Sequence, residues 1–98
     1  MIINNIKIKT NNDLDKITTD NRALDTMIIN YNKREKILIE LDNGCGVTLT
    51  GVSKIKLQCD EIAVIYRSES EEPVVVDMDD YFDYERELRP SIVGIYSL

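Results

Sequence analysis

Four aspartates near the carboxyl end of the sequence are the first residues whose type and spacing could do chemistry. Asp77, Asp79, Asp80 and Asp83 offer oxygen ligands at the close spacing that suits Mg²⁺ or Ca²⁺. The calcium-binding helix-loop-helix pattern requires a glycine at its sixth position and a glutamate at its twelfth. Counted from Asp77, those positions hold a phenylalanine and a leucine. The sequence therefore predicts no metal site, and solvated carboxylates are the simpler interpretation.

The residue types needed for catalysis are also missing. The chain has no histidine, which removes the commonest general base and every His-dependent triad. Paired carboxylates act as acid and base in glycosidases, but this chain has no tryptophan and one phenylalanine with which to stack a sugar. Cys45 lies between Gly44 and Gly46 without a base to activate its thiol, so these residues are interpreted as a turn. We predict a non-enzymatic protein that binds no cofactor.

The two cysteines and the apolar runs indicate the compartment. Cys45 and Cys59 form no close-spaced pair, which argues against a zinc site or a redox motif. No apolar run approaches the roughly 18 residues that a membrane span needs, and the start of the sequence does not read as a secretory signal. We expect a cytoplasmic protein with reduced, partly buried thiols. A Cys45–Cys59 disulfide is the alternative if their strands are neighbours.

Charge is distributed unevenly along the chain. The net charge is −6, but residues 1–59 come to +2 and residues 60–87 to −9. Residues 69–87 alone carry nine carboxylates and one arginine, with Tyr81, Phe82 and Tyr84 among them. Like charges at this density oppose folding. We interpret the segment either as a solvated face that keeps a small protein soluble or as a docking surface.

Two conformations of this segment are compatible with its pattern. An extended chain places five carboxylates between Asp77 and Glu87 on one face. A helix turns Tyr81, Tyr84 and Leu88 toward the core and points the carboxylates away. Both conformations display a dense anionic surface, so the same candidate partner-binding residues follow from each. These are Asp77, Asp79, Asp80, Tyr81, Asp83, Tyr84, Glu85 and Glu87.

The sign of this surface indicates the class of partner. Carboxylates repel nucleic acid phosphates and anionic membranes, so we expect neither direct nucleic acid binding nor membrane association. Basic protein surfaces are favoured instead, with tyrosines as anchors and carboxylates steering the encounter. The most specific form of this hypothesis is nucleic-acid mimicry. Carboxylates would then occupy a protein that normally grips DNA phosphates, which lie about 3.4 Å apart along each strand.

Short runs of β-branched and aliphatic residues, separated by turn formers, predict the elements that position this segment. Residues 36–66 read as a series of antiparallel strands with turns at residues 43–46, 51–53 and 60–61. Further strands are predicted before and after this stretch. The predicted strands are Ile2–Lys9, Lys36–Asp42, Val47–Thr50, Lys54–Cys59, Ile62–Tyr66, Val74–Val76 and Ile92–Tyr96.

One helix is predicted ahead of the strands. From Asp20 to Asn32 the apolar positions Leu24, Met27, Ile28 and Tyr31 follow the spacing of one helical face. The competing interpretation makes residues 27–31 a strand that pairs with residues 36–42, because the two asparagines there lower helix propensity. The preferred prediction is a single α+β domain over residues 1–98. In it one main helix packs on a small, twisted antiparallel β-sheet or partial barrel.

The overall character of the chain suggests a setting for this function. The chain is small, carries its negative charge unevenly and is rich in Ile, Asn, Lys and Asp. In these respects it is similar to phage or mobile-element accessory proteins from AT-rich bacteria. That group includes inhibitors of defence nucleases, which the resemblance implies as a function. One alternative is a small β-barrel module that binds nucleic acid or a ligand through Lys7, Lys9, Lys54 and Lys56. Another is a structural or assembly subunit that oligomerises through strand edges.

Overall fold

The computed structural model describes residues 2–11, 16–20, 26–68 and 70–98. In these residues the chain forms eight β-strands and one short 3₁₀-helix. The strands are β1 (Ile2–Ile3), β2 (Ile6–Lys9), β3 (Lys16–Asp20), β4 (Thr26–Leu41), β5 (Gly46–Gln58), β6 (Ile62–Tyr66), β7 (Val74–Asp77) and β8 (Ile92–Ser97). The 3₁₀-helix spans Met78–Tyr81 and directly follows β7. The described part of the chain is therefore an all-β fold, and the predicted α+β class is wrong.

Where the structure describes the predicted helix over residues 20–32, it shows the last residue of β3 and, from Thr26, the first half of β4. Met27, Ile29 and Tyr31 are buried while Ile28 is half-buried, which is the two-residue period of a strand. Isoleucine and asparagine are weak helix formers, and pairing with β3 on one side and β5 on the other satisfies the backbone. Leu24, the first residue of the predicted helical face, lies outside the described residues.

The alternative prediction of a strand at residues 27–31 is right about the conformation and wrong about the pairing. Those residues do not pair with residues 36–42, because both segments belong to β4. The partners of residues 27–30 are β3 and the end of β5. The helix and its alternative therefore both underestimated the length of this strand, which runs for 16 residues.

The sheet is ordered β1-β2-β8-β4-β5-β6-β7, and β3 pairs with β4 outside that path. All of these pairings are antiparallel except that of β2 with β8. The antiparallel hairpins predicted within residues 36–66 are thus largely correct. The predicted turn at residues 51–53 is not, because β5 is continuous there. Gly51 adopts a left-handed φ of 64° beside register shifts between β4 and β5, and the hairpin bends instead of reversing.

The long β4–β5 hairpin is folded over near its middle. The backbone N–H of Asp42, just after β4, donates to Ser91 O at 3.0 Å. Ile92, the residue after Ser91, donates its backbone N–H to the carbonyl oxygen of Asp60 at 2.8 Å. Asp60 lies just after β5. Asp42 and Asp60 follow opposite ends of the hairpin, so the two ends meet at the start of β8. The first half of β4 pairs with β3 and the second half with β8, which gives two layers with a shared core.

The core is filled mainly by isoleucines from both layers. β2 and β6 alternate inward and outward residues; in β2, Ile6 and Ile8 are buried while Lys7 and Lys9 are exposed. One contiguous apolar cluster results, to which every strand from β4 to β8 contributes buried side chains. Fully buried examples are Ile29, Ile37, Ile39, Ile55, Ile65 and Ile95.

A glycine in β8 allows an aromatic ring to lie against the outer face of the sheet. A Cβ at Gly94 would lie 2.5 Å from the hydroxyl oxygen of Tyr96 and 2.6 Å from its ring. The Tyr96 hydroxyl donates a hydrogen bond to the carboxylate of Glu40, the cross-strand neighbour of Gly94, and this bond raises the pKa of Tyr96. Glycine at position 94 is therefore a packing requirement of the ring above it.

We expect Gly94→Ala to destabilise the fold through this contact. The new methyl group must displace the ring of Tyr96, and overpacking of this kind costs about 1–3 kcal/mol of unfolding free energy. Gly46→Ala is the matched control, since the one atom too close to its Cβ would be the terminal Cδ1 of Leu38, at 2.8 Å, and that flexible side chain can move. Urea unfolding followed by circular dichroism measures both changes. Equal losses in the two variants would contradict the explanation.

Candidate functional site

The predicted partner-binding residues lie in one connected segment that begins with the last residue of β7, residues 77–89, which we call the acidic loop. Asp77 caps the 3₁₀-helix by accepting a hydrogen bond from the Asp79 backbone N–H at 2.9 Å. Met78 is fully buried, and its backbone N–H donates to Glu61 O at 2.9 Å. The loop is therefore anchored to the core at its start, so its carboxylates are held at defined positions on the surface.

Asp83 organises the second half of the acidic loop. Its carboxylate accepts hydrogen bonds from the backbone N–H groups of Glu85 at 3.0 Å and Arg86 at 3.2 Å. Its backbone exchanges two hydrogen bonds with Leu88, of 2.8 Å and 3.2 Å, which closes the chain between them into a compact turn. Glu87 within this turn has a left-handed φ of 53°. A non-glycine residue in that conformation is uncommon and marks backbone strain held by the surrounding hydrogen bonds.

Arg89 fixes the end of the acidic loop. Its guanidinium contacts Asp79 at 3.1 Å and Glu61 at 2.7 Å, so one cation joins the loop to the β5–β6 turn. The hydrogen bond to Asp79, followed by that to Glu61, raises the pKa of Arg89. Both ion pairs are solvent-exposed, and their role is to set the geometry more than to add stability.

Three large side chains of the acidic loop are exposed to solvent. Tyr84 is 84% exposed, Leu88 61% and Tyr81 38%. Phe82 meets Tyr84 edge to face with ring centroids 4.9 Å apart, which restrains the exposed ring. Neither predicted conformation occurs, since the segment is a 3₁₀-turn followed by a bridged loop. The helical alternative, with Tyr84 and Leu88 facing the core, is wrong.

The carboxylates of the acidic loop divide into two groups. Asp77, Asp79 and Asp83 are occupied in capping or in ion pairs, including an Asp83–Arg86 contact of 3.7 Å. The other three have no ion pair or side-chain hydrogen bond with the described residues. These three are Asp80, Glu85 and Glu87, all exposed. They lie in sequence on both sides of Tyr84, so the exposed ring belongs to a segment of uncompensated negative charge.

Sequence reasoning missed three residues that build this surface. The helical alternative turns Leu88 toward the core, and neither Glu61 nor Arg89 is among the predicted partner-binding residues. No local pattern could have found the Glu61–Arg89 pair, because the partners are 28 residues apart and meet only after folding. The charge excess of residues 60–87 did indicate that Glu61 belonged to an acidic region.

The four lysines of the alternative nucleic-acid site do not form one surface. Lys7 and Lys9 point outward from β2, in the layer formed with β8, whereas Lys54 and Lys56 point outward from β5, in the layer formed with β6. The Lys54 Nζ lies 4.2 Å from the centroid of the Tyr66 ring, so the two side chains form a cation–π contact. The basic residues are thus divided between two outer faces.

The structure also bears on the cysteines, on metal binding and on membrane-spanning helices. Cys45 and Cys59 are both exposed, contrary to the expected partial burial, and no disulfide joins them. Among the described residues, no group of three histidine, cysteine or acidic side chains is arranged to hold a metal ion. In the same part of the chain, no helix has the length and apolar character needed to cross a membrane.

The Arg89 bridge leads to a prediction about order in the acidic loop. Arg89→Gln removes both ion pairs, so we expect faster hydrogen exchange of the Asp83 and Leu88 amides with little change in global unfolding. Arg86→Gln is the matched control, because Arg86 makes a single, longer and more exposed contact. Exchange followed by NMR should show a clear effect in the first variant and a small one in the second. Similar effects in both would mean that Arg89 does not anchor the loop.

Comparison with known proteins supplies no relative from which a role could be transferred. No protein-family model matches this chain, and no curated protein or solved structure is significantly similar to it.

Proposed function

We propose that this protein is a non-enzymatic binding protein whose acidic loop docks on a basic surface of another protein. The partner we favour is a cytoplasmic protein that normally holds nucleic acid and is inhibited when the loop occupies its binding surface. The composition resembling that of phage and mobile-element accessory proteins is consistent with such a role. The contact residues would be the exposed carboxylates of the loop together with Tyr84 and Leu88.

One observation carries the proposal: an exposed tyrosine belongs to a fixed loop rich in uncompensated carboxylates. Aromatic anchors surrounded by polar groups are typical of the energetic centres of protein interfaces. A loop that is already ordered loses little conformational entropy on binding, which favours affinity. A surface needed only for solubility would require neither the exposed Tyr84 and Leu88 nor the bridged turn that displays them.

Charge supports a basic partner over an apolar one. The loop and the adjoining β5–β6 turn contain eight carboxylates and two arginines, and the arginines pair with only some of them. Fields of this sign accelerate encounter with a basic groove and disfavour contact with nucleic acid itself. A protein that binds phosphates through lysine and arginine would find comparable charge here.

The proposal can be tested by capture with charge-matched variants. Immobilised wild-type protein is exposed to a nuclease-treated bacterial lysate, and bound proteins are eluted with a short DNA duplex. Glu85→Gln/Glu87→Gln removes two charges beside Tyr84, and Glu71→Gln/Glu72→Gln removes two from an exposed loop elsewhere. We expect the wild type and the second variant to retain a protein that DNA displaces, and the first variant to lose it.

One result would contradict the docking role, and another would contradict only the nucleic-acid mimicry. If both variants retain the same proteins as the wild type, the carboxylates beside Tyr84 do not determine binding. If the captured protein resists elution by DNA while high salt releases it, the acidic loop binds a basic surface that is not a nucleic acid site. That second result would overturn the mimicry and leave the docking role.

A further inference from the structure

A cleft of about 380 Å³ opens beside the start of β8, at the end of the hairpin where β4 begins and β5 ends. Its lower part is apolar and comes from both layers, with Ile6 from β2, Met27 from β4 and Leu57 from β5. Its rim is polar and comes from three connections, the β1–β2 turn, the β5–β6 turn and the residues entering β8. Clefts of about 300–1,000 Å³ with an apolar interior and a few polar groups are typical sites for small molecules.

The backbone at the rim is unusual. Four non-glycine residues of the described chain have left-handed φ values, and three of them line this cleft. Asn4 and Asn5 have φ of 51° and 65°, which asparagine tolerates well, whereas Cys59 has φ of 54° without that advantage. Strained conformations of this kind concentrate at functional sites.

The charges at the rim define the chemistry that fits. Asp60 and Glu61 are both in the lining, and no lysine or arginine is among the described residues that line the cleft. Glu61 is paired with Arg89, whereas the exposed carboxylate of Asp60 has no ion pair within the described chain. Asparagine amides and the Ser91 hydroxyl add neutral hydrogen-bonding groups at the same rim.

We propose that this cleft binds a small organic amine, with an apolar or aromatic body toward Ile6, Met27 and Leu57 and an ammonium group at Asp60. An apolar body would displace water from the cleft above these three side chains, of which 1–2% of the surface is accessible. The ammonium group would be favoured by the carboxylate and by the absence of competing cations in the described lining. This site is separate from Tyr84 and does not depend on the docking role of the acidic loop.

The test uses three probes with the same phenylethyl body: 2-phenylethylamine, 2-phenylethanol and 3-phenylpropionate. Amide chemical shifts of the full chain are followed by NMR as each is added. We expect saturable shifts at Leu57, Ile92 and Val93 with the amine, about threefold weaker binding of the alcohol, and no binding of the carboxylate. Asp60→Asn should weaken the amine about threefold and remove its advantage over the alcohol, whereas Glu72→Gln should change neither.

A second arm blocks the cleft without altering its carboxylates. Alkylation of Cys59 with iodoacetamide in a Cys45→Ser background fills the mouth and should abolish the amine-dependent shifts. Alkylation of Cys45 in a Cys59→Ser background should leave them unchanged, because Cys45 lies at the other end of β5. Equal binding of amine and carboxylate, or amine-dependent shifts that survive alkylation of Cys59, would overturn the assignment.

Discussion

Replacing Ile29 with alanine should lower the free energy of unfolding by about 3 kcal/mol, the usual cost of a cavity left by a buried isoleucine. Ile29 is fully buried in the first half of β4, between β3 and β5. The neighbouring Ile28 is half-buried on the opposite face of the same strand. Ile28→Ala should therefore cost only about 1 kcal/mol, since less apolar surface is lost.

This pair of variants distinguishes the strand from the helix that the spacing of apolar residues predicts. A helix over residues 20–32 would bury Ile28 beside Met27 and leave Ile29 on its polar side. The order of the two effects would then be reversed. Both substitutions change isoleucine to alanine in adjacent positions, so differences in propensity largely cancel. Urea unfolding of the two variants, at equal m-values, measures the difference.

Replacing Tyr84 with alanine should weaken binding of the captured partner by about 30-fold or more, the effect of losing an aromatic anchor at an interface centre. Stability should hardly change, because the side chain is 84% exposed and contributes nothing to the core. Tyr84→Phe serves as the control, since it retains the ring and its contact with Phe82 and should lose much less. Titration calorimetry with the purified partner gives both affinities.

An equal, small effect of both substitutions would remove Tyr84 from the interface and leave the carboxylates as the only attractive element. The unfolding midpoints of the variants must be compared in the same experiment. A fall in affinity accompanied by a fall in stability would show that the ring supports the loop and is not itself an anchor.

Much of the strand content could be predicted because alternation appears directly in the sequence. Ile6 and Ile8 between lysines, and Ile37, Ile39 and Leu41 in β4, are buried as their two-residue period requires. The helix prediction failed at residues 27–31 because the apolar positions there fit both a helical and a strand period. Tertiary pairing with β3 and β5 decides between them, and no local window contains those partners.

The bend in the β4–β5 hairpin could not be predicted from a local window of sequence for the same reason. Gly51 reads as a turn residue, yet β4 provides partners on both sides of it and the strand continues through a bend. The acidic segment was located correctly as an exposed surface, but its conformation depends on Arg89 and Glu61, which meet only in the folded chain. Sequence could therefore indicate which charges are displayed and could not indicate how they are held.

The most direct test of the acidic loop as a docking surface is its protection when a partner is bound. Hydrogen–deuterium exchange of the complex with the captured protein, compared with the unbound chain, maps the contact along the sequence. We expect new protection within residues 79–88, with the outer face of β5 and β6 around Lys54 unchanged. Protection at Lys54 and Lys56, or along the edge strand β7, with none in residues 79–88 would contradict the central claim.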